Sequence, residues 1–248
     1  MKAFFKYLSI QFKMDLRDKG TLLNFYLVPI LFFFVVGPVF SSANPYIKPT
    51  LAASMSILAI TMGAIMGMPI PLVKMRESGT LRAFRVSGIP SWAVIFVQGL
   101  SSFIHLFIVS IIIYVCSPIA FHSDLPKDPA LFFAVIAVLL IASIAIGLLI
   151  GVTAKSQSFA SMLSMIIFFP SIIVSGIMFP VSMLPNALLW IGRIFPATYA
   201  AEALYGLAYK INTNINAWLA LGIIAVIGVL VFAIAISLFD KKIESELL

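Results

Sequence analysis

Six stretches of this chain, at about 22–41, 51–73, 92–116, 130–152, 159–178 and 218–239, are apolar over lengths close to 20 residues. That is the length a helix needs to cross about 30 Å of hydrocarbon. A soluble domain of 248 residues has no interior large enough for six such runs. With 62% hydrophobic and 10% charged residues and a mean hydropathy of +1.14, the chain has lipid as its solvent. In lipid every peptide group must be bonded internally, which leaves helices or closed barrels. The alternation of polar and apolar residues that a barrel strand needs is missing from all six runs. The expected fold is therefore an all-α integral membrane protein with six transmembrane helices, one membrane domain over 1–248.

Polar or proline-bearing breaks separate the runs: SSANPYIKP, KMRESGTLRAFR, HSDLPKDP, AKSQS and a longer stretch at about 179–217. An even number of spans puts both termini on one side. Of the 16 Lys and Arg residues, 12 fall on the face shared by the termini, the second break and the fourth. Only Lys48, Lys127, Arg193 and Lys210 fall on the other. The positive-inside bias makes the first face cytoplasmic. The net charge of +7 is thus spent on topology and the membrane interface, and nucleic acid is excluded as a partner. The first 21 residues are too polar for a secretory apolar core, so no cleaved signal is expected. Cys116, the lone cysteine, forms no internal disulfide.

Residues 1–20 form an amphipathic pattern on a wheel of about 100° per residue. Lys2, Lys6, Ser9, Lys13 and Arg17 share one face, and Phe4, Phe5, Leu8, Phe12 and Leu16 cluster on another. A helix lying in the interface is expected, either as an anchor to anionic lipid or as an element that also touches a cytoplasmic partner. The second break, 74–90, is far longer than a reversal of direction requires. Gly79 and Gly88 punctuate it, Ser78 is placed to cap a short helix, and Leu81 and Phe84 stand at i, i+3. It serves either as a surface helix with snorkelling arginines or as a docking element.

Two blocks carry a family resemblance. RESGTLRAFRVSGIPSW, Arg76 to Trp92, resembles the segment between spans two and three of ABC-2-type ABC exporter permeases, whose fold is that of the G-subfamily exporters. VSGIMFPVSMLPNALLWIGRIFPATYAAEAL, Val174 to Leu204, is similar to the signature that follows their fifth span. Phe195 stands where the family often has Asn, and Tyr205 where a basic residue is common. The resemblance implies the permease subunit of an ATP-driven exporter in a bacterial plasma membrane. It implies two copies of a separate ATPase that carry ATP and magnesium, and a second permease copy or paralogue. The loop after span two then becomes a coupling helix, with Arg76, Glu77, Gly79, Thr80, Leu81 and Phe84 at the ATPase contact.

This chain has no Gly-x-x-x-x-Gly-Lys-Ser/Thr motif and no soluble stretch long enough for a nucleotide-binding fold. No catalytic residues, metal ligands or cofactor of its own are expected. Within 179–217, apolar pieces near 186–195 and 197–209 are too short to span, so two short re-entrant helices packed on protein are expected. The resemblance makes them an outer gate, with Phe179, Pro180, Tyr199 and Glu202. Glu202 alternatively pairs with Arg193 or Lys210, and Tyr199, Tyr205 and Tyr209 suit an aromatic belt. Span two carries the small row Ala59, Gly63, Gly67 beside Met55, Met62 and Met66. Span five carries Ser164, Phe168, Ser171 and Ser175. Both rows read as helix packing or, by resemblance, as the wall of a substrate pathway.

His105 and Gln98 are either pathway groups or structural hydrogen-bonding groups. Spans without charge favour a hydrophobic or amphipathic cargo: drug, antimicrobial peptide, lipid or glycopolymer. The rival classes are a secondary transporter or channel without a motor, with Pro29 and Pro170 as possible helix breaks, and a non-transporting membrane sensor or assembly protein.

Overall fold

The computed structural model describes residues 2–43, 48–80, 84, 89–178 and 183–245. Among them there is no strand, and helices follow one another through short joints. Helix α1 is Lys2–Asp15. Helix α2 starts as Lys19–Leu22, passes a π-helical turn at Leu23–Leu27 and continues as Val28–Ala43. Helix α3 comprises Leu51–Met62, a π turn at Gly63–Gly67 and Pro69–Glu77. Helices α4, α5 and α6 are Ser91–Phe121, Pro129–Thr153 and Gln157–Val174. Two short helices follow, α7 at Asn186–Gly192 and α8 at Pro196–Ala203, the latter extended by a π turn at Leu204–Ala208. Helix α9, Ala217–Ser245, closes the bundle.

Six segments are long and apolar enough to cross a membrane: Lys19–Val39, Lys48–Glu77, Trp92–Phe121, Pro129–Thr153, Gln157–Val174 and Ala217–Lys241. Each of the six apolar runs falls on one of them. The polar breaks supply the helix starts. Asp18 Oδ2 accepts from the Thr21 amide at 2.8 Å, Asp128 Oδ1 from Leu131 at 3.0 Å, and Ser156 Oγ from Phe159 at 3.3 Å. These caps satisfy amides that the first turn leaves unpaired. Pro29 and Pro170 lie inside continuing helices and break neither.

Helix α3 is the axis of the bundle. In its most apolar window 83% of residues are buried, against 22% for α2 and for α9. Lipid offers no hydrophobic drive for helix association, so close contact depends on small residues. A Cβ at Gly63 would sit 2.2 Å from Leu106 Cδ2 of α4, and one at Gly147 2.1 Å from the Ala64 carbonyl oxygen. Glycine at those points is what lets α4 and α5 reach α3. Helix α9 packs mainly along α5, and α8 against α9 and α5.

Helix α1 is turned differently from its wheel. Among its described side chains Gln11 and Asp15 are buried, with Phe12 and Leu8 half-buried, and Leu16 just beyond it is 44% exposed. The side chains of Phe4 and Phe5 lie outside the described residues. Lys6, Lys13 and Arg17 are exposed, as the sequence suggests.

Candidate functional site: the joint after α3

Helix α3 ends where Gly79 adopts φ 72, the left-handed setting that glycine reaches without penalty. The Ser78 amide donates to the Lys74 carbonyl at 2.9 Å and that of Gly79 to Arg76 at 3.1 Å, closing the last turn. Ser78 is the C-cap of α3, and most of the short helix expected after it lies outside the described residues. The Ser78 hydroxyl donates to the Met75 carbonyl at 3.2 Å and lies 2.8 Å from Thr80 Oγ1.

Two side chains lock this end to neighbouring helices. Arg76 donates to the carbonyls of Val152, at 3.2 Å, and Ala154, so its guanidinium caps the C-terminus of α5. Glu77 accepts from Gln157 Nε2 at 2.6 Å, at the first residue of α6. Glu77, Ser78 and Gly79 are exposed, Thr80 is half-buried, and Leu81 lies outside the described residues. Phe84 is half-buried and meets the Tyr7 ring of α1 edge-on, centroids 5.4 Å apart. Burial, helped by the Asp15 carboxylate, pushes the Tyr7 phenol up to about 12. The joint after α3 is thus built into α5, α6 and α1.

A second polar group lies beneath α1. Gln11 Nε2 donates to Asp15 Oδ1 at 2.8 Å, and the Ser101 hydroxyl donates to Oδ2 at 2.6 Å. His105 Nε2 stands 3.7 Å from the same oxygen, and its Nδ1 is 2.6 Å from Tyr26 Oη of α2. His105 is therefore a structural hydrogen-bonding group between helices. Sequence reasoning missed Asp15 and Gln11. Their i, i+4 spacing, matched by Ser101 and His105 on α4, is the signal that marks the pair.

The other candidate residues lie inside the chain's own core. Met55 packs with Phe33, Leu51, Ala59, Val109 and Ile113, toward α2 and α4. Met62 and Phe168 belong to the main cluster, with Met66 half-buried against it. Ser164, Ser171 and Ser175 are buried, and the last donates to the Ile172 carbonyl at 3.0 Å. The structure brings the α6 row inward and keeps Met55 in a separate cluster. The outward face of α6 is Met162, Met165, Ile166, Phe169 and Ile173.

At the opposite end, Phe179 and Pro180 lie outside the described residues. Tyr199 Oη donates to the Arg193 carbonyl at 2.8 Å, and Thr198 Oγ1 to that of Gly192 at 2.6 Å, which fold α7 and α8 together. Glu202, 6% exposed, pairs with neither Arg193 nor Lys210 among the described residues. Its Oε2 accepts from the amides of Asn214, at 2.9 Å, and Ile215, at 3.4 Å. The Arg193 guanidinium lies 4.2 Å from the Trp190 ring centroid instead. Tyr199 and Tyr209 are buried and Tyr205 Oη sits 2.9 Å from Ser54 Oγ, so these phenols face the bundle and form no belt. No group of three His, Cys, Asp or Glu among the described residues is placed to hold a metal.

An all-helical bundle with six lipid-length helices, a keyed joint at one end and a paired short-helix element at the other defines a polytopic membrane component. The family model described as ABC-2 type transporter matches residues 3–209, most of the chain, and the chain belongs to that family. Both resembling blocks fall within the match. The chain is 26% identical over 222 residues to ABC transporter G family member 20 of Dictyostelium discoideum. That alignment takes in 85% of this chain and 30% of the relative, so the chain spans under a third of the length of the protein it matches.

Proposed function

We propose that the chain is the permease of an ATP-driven exporter, with the joint after α3 as its contact with a separate ATPase. Two ATPase subunits hold ATP and magnesium, and a second permease copy or paralogue completes the pathway. Both termini and the joint face the cytoplasm of a bacterium, α1 lies in the inner interface, and α7–α8 dip back into the outer leaflet as the gate. The cargo is amphipathic: a drug, antimicrobial peptide, lipid or glycopolymer.

The observation that supports this reading best is the way the joint is fastened. Arg76 ties it to α5, Glu77 to α6 and Phe84 to α1. A push delivered there is shared by three helices at once, and packed helices transmit rigid-body motion where a loose loop does not. Glu77 and Ser78 remain exposed to a partner. In this scheme Glu77 meets a basic group of the ATPase, while Phe84 and Leu81 supply apolar anchorage. The pathway is lined by Met62, Met66, Ser164, Phe168, Ser171 and Ser175, whose burial in one chain requires α3 and α6 to part during transport, and by Met55, which requires α3 to move from α2 and α4 as well.

Co-purification tests the contact. A Walker-motif ATPase is expected to accompany the intact chain and to be lost from Glu77→Lys and Phe84→Ala. Unchanged association in both variants would sink the assignment, and absence of any ATPase would favour a secondary transporter.

A further inference from the structure

Lipid alone would not choose the rotation that α1 adopts. The helix buries Gln11 and Asp15, 6% and 5% exposed, and leaves Ile10 and Met14 46% and 57% exposed. On the wheel, Gln11 and Asp15 lie about 120–180° from Lys6, Lys13 and Arg17. The Asp15 carboxylate is bonded by Gln11 of its own helix and by Ser101 of α4, with His105 of α4 facing the same oxygen. His105 is held in turn by Tyr26 of α2 and by the Phe12 ring of α1, stacked at 4.4 Å. A buried carboxylate needs its donors, and a rotated α1 would leave Asp15 and Ser101 without each other. Apolar contact carries no such preference, because lipid tails replace it at little loss.

We propose that Asp15 is a positioning residue: with Gln11, Ser101 and His105 it forms a polar key that sets the rotation of α1 against α4. Through the Tyr7–Phe84 contact the key then makes α1 a second link between the joint and α4. That consequence alone rests on the coupling function proposed above. Register setting is the best-attested role of buried polar sets.

The test places spin labels at Met14→Cys and Trp92→Cys, both exposed, in a Cys116→Ser background of the full chain in lipid nanodiscs. One narrow distance distribution is expected for the parent and for Asp15→Asn, which keeps an acceptor for Ser101. Asp15→Leu is expected to broaden it into a second population. The combination Gln11→Leu, Asp15→Leu, Ser101→Ala and His105→Leu removes the whole polar set. It is expected to recover the parent's melting temperature yet keep the broad distribution. A narrow, unshifted distribution in that combination overturns the key, because packing alone then sets α1. The distances are read without any ATPase. A broad distribution together with intact ATPase association in the Glu77 and Phe84 variants would therefore leave the key standing and remove the coupling function.

Discussion

Replacing Arg76 by Gln removes the charge and one arm of a side chain that the resemblance assigns to the ATPase and the structure turns toward α5. Two charge-assisted hydrogen bonds to carbonyls are worth about 1.5–3 kcal/mol each when buried. Attraction of the cation to the α5 C-terminus adds about 0.3–1 kcal/mol. Arg76 is half-buried, and solvent screening removes roughly half or more of the sum. The variant is expected to lose about 2 kcal/mol. For a chain of this size that lowers the melting temperature by about 4–8 °C. The assay is thermal unfolding of the purified chain in detergent, followed by tryptophan fluorescence with no ATPase present. Arg76→Lys, which keeps the charge and loses the fork, should fall between the two. An unchanged melting temperature combined with lost ATPase association would refute the inward role and return Arg76 to the contact surface.

Gly147→Ala puts a methyl group against the Ala64 carbonyl oxygen and should destabilise by about 1–3 kcal/mol, whereas Gly222→Ala, with nothing within 4 Å, should be neutral or slightly stabilising; paired thermal melts separate them. Glu202→Leu unpairs the amides of Asn214 and Ile215, a loss of about 1–3 kcal/mol read as faster hydrogen exchange at those two positions, with Glu202→Gln milder. Tyr7 has its phenol pKa raised from 10.0 to about 12, so the stability its neutral form contributes is complete below pH 10 and fades as pH climbs through 12. A spectrophotometric titration should therefore show one ionisation near 12 that Tyr7→Phe abolishes.

The six spans were legible because a run of apolar residues long enough to cross lipid has few other fates. Their ends were less so: the run at 92–116 stops short of Phe121, where α4 ends after continuing through Pro118. The partners of buried charges were the least legible. Glu202 has Arg193 and Lys210 nearby in sequence, yet it is satisfied by main-chain amides, which leave no mark in a sequence. Arg76 likewise finds carbonyls. The face that α1 buries was hidden for a related reason. A wheel ranks faces by hydrophobicity, while the donor that selects the Asp15 face, Ser101, lies 86 residues further along the chain. The α6 row was legible as a row, but whether it faces another copy or its own core depends on the whole bundle.

Site-specific photocrosslinking at Thr80 is the most direct test of the central claim. A photoreactive side chain there, in the membrane of cells producing the full chain, is expected to give an adduct with a Walker-motif ATPase that Glu77→Lys suppresses. Adducts confined to lipid or to the chain itself, with an ATPase present in the same membranes, would contradict it.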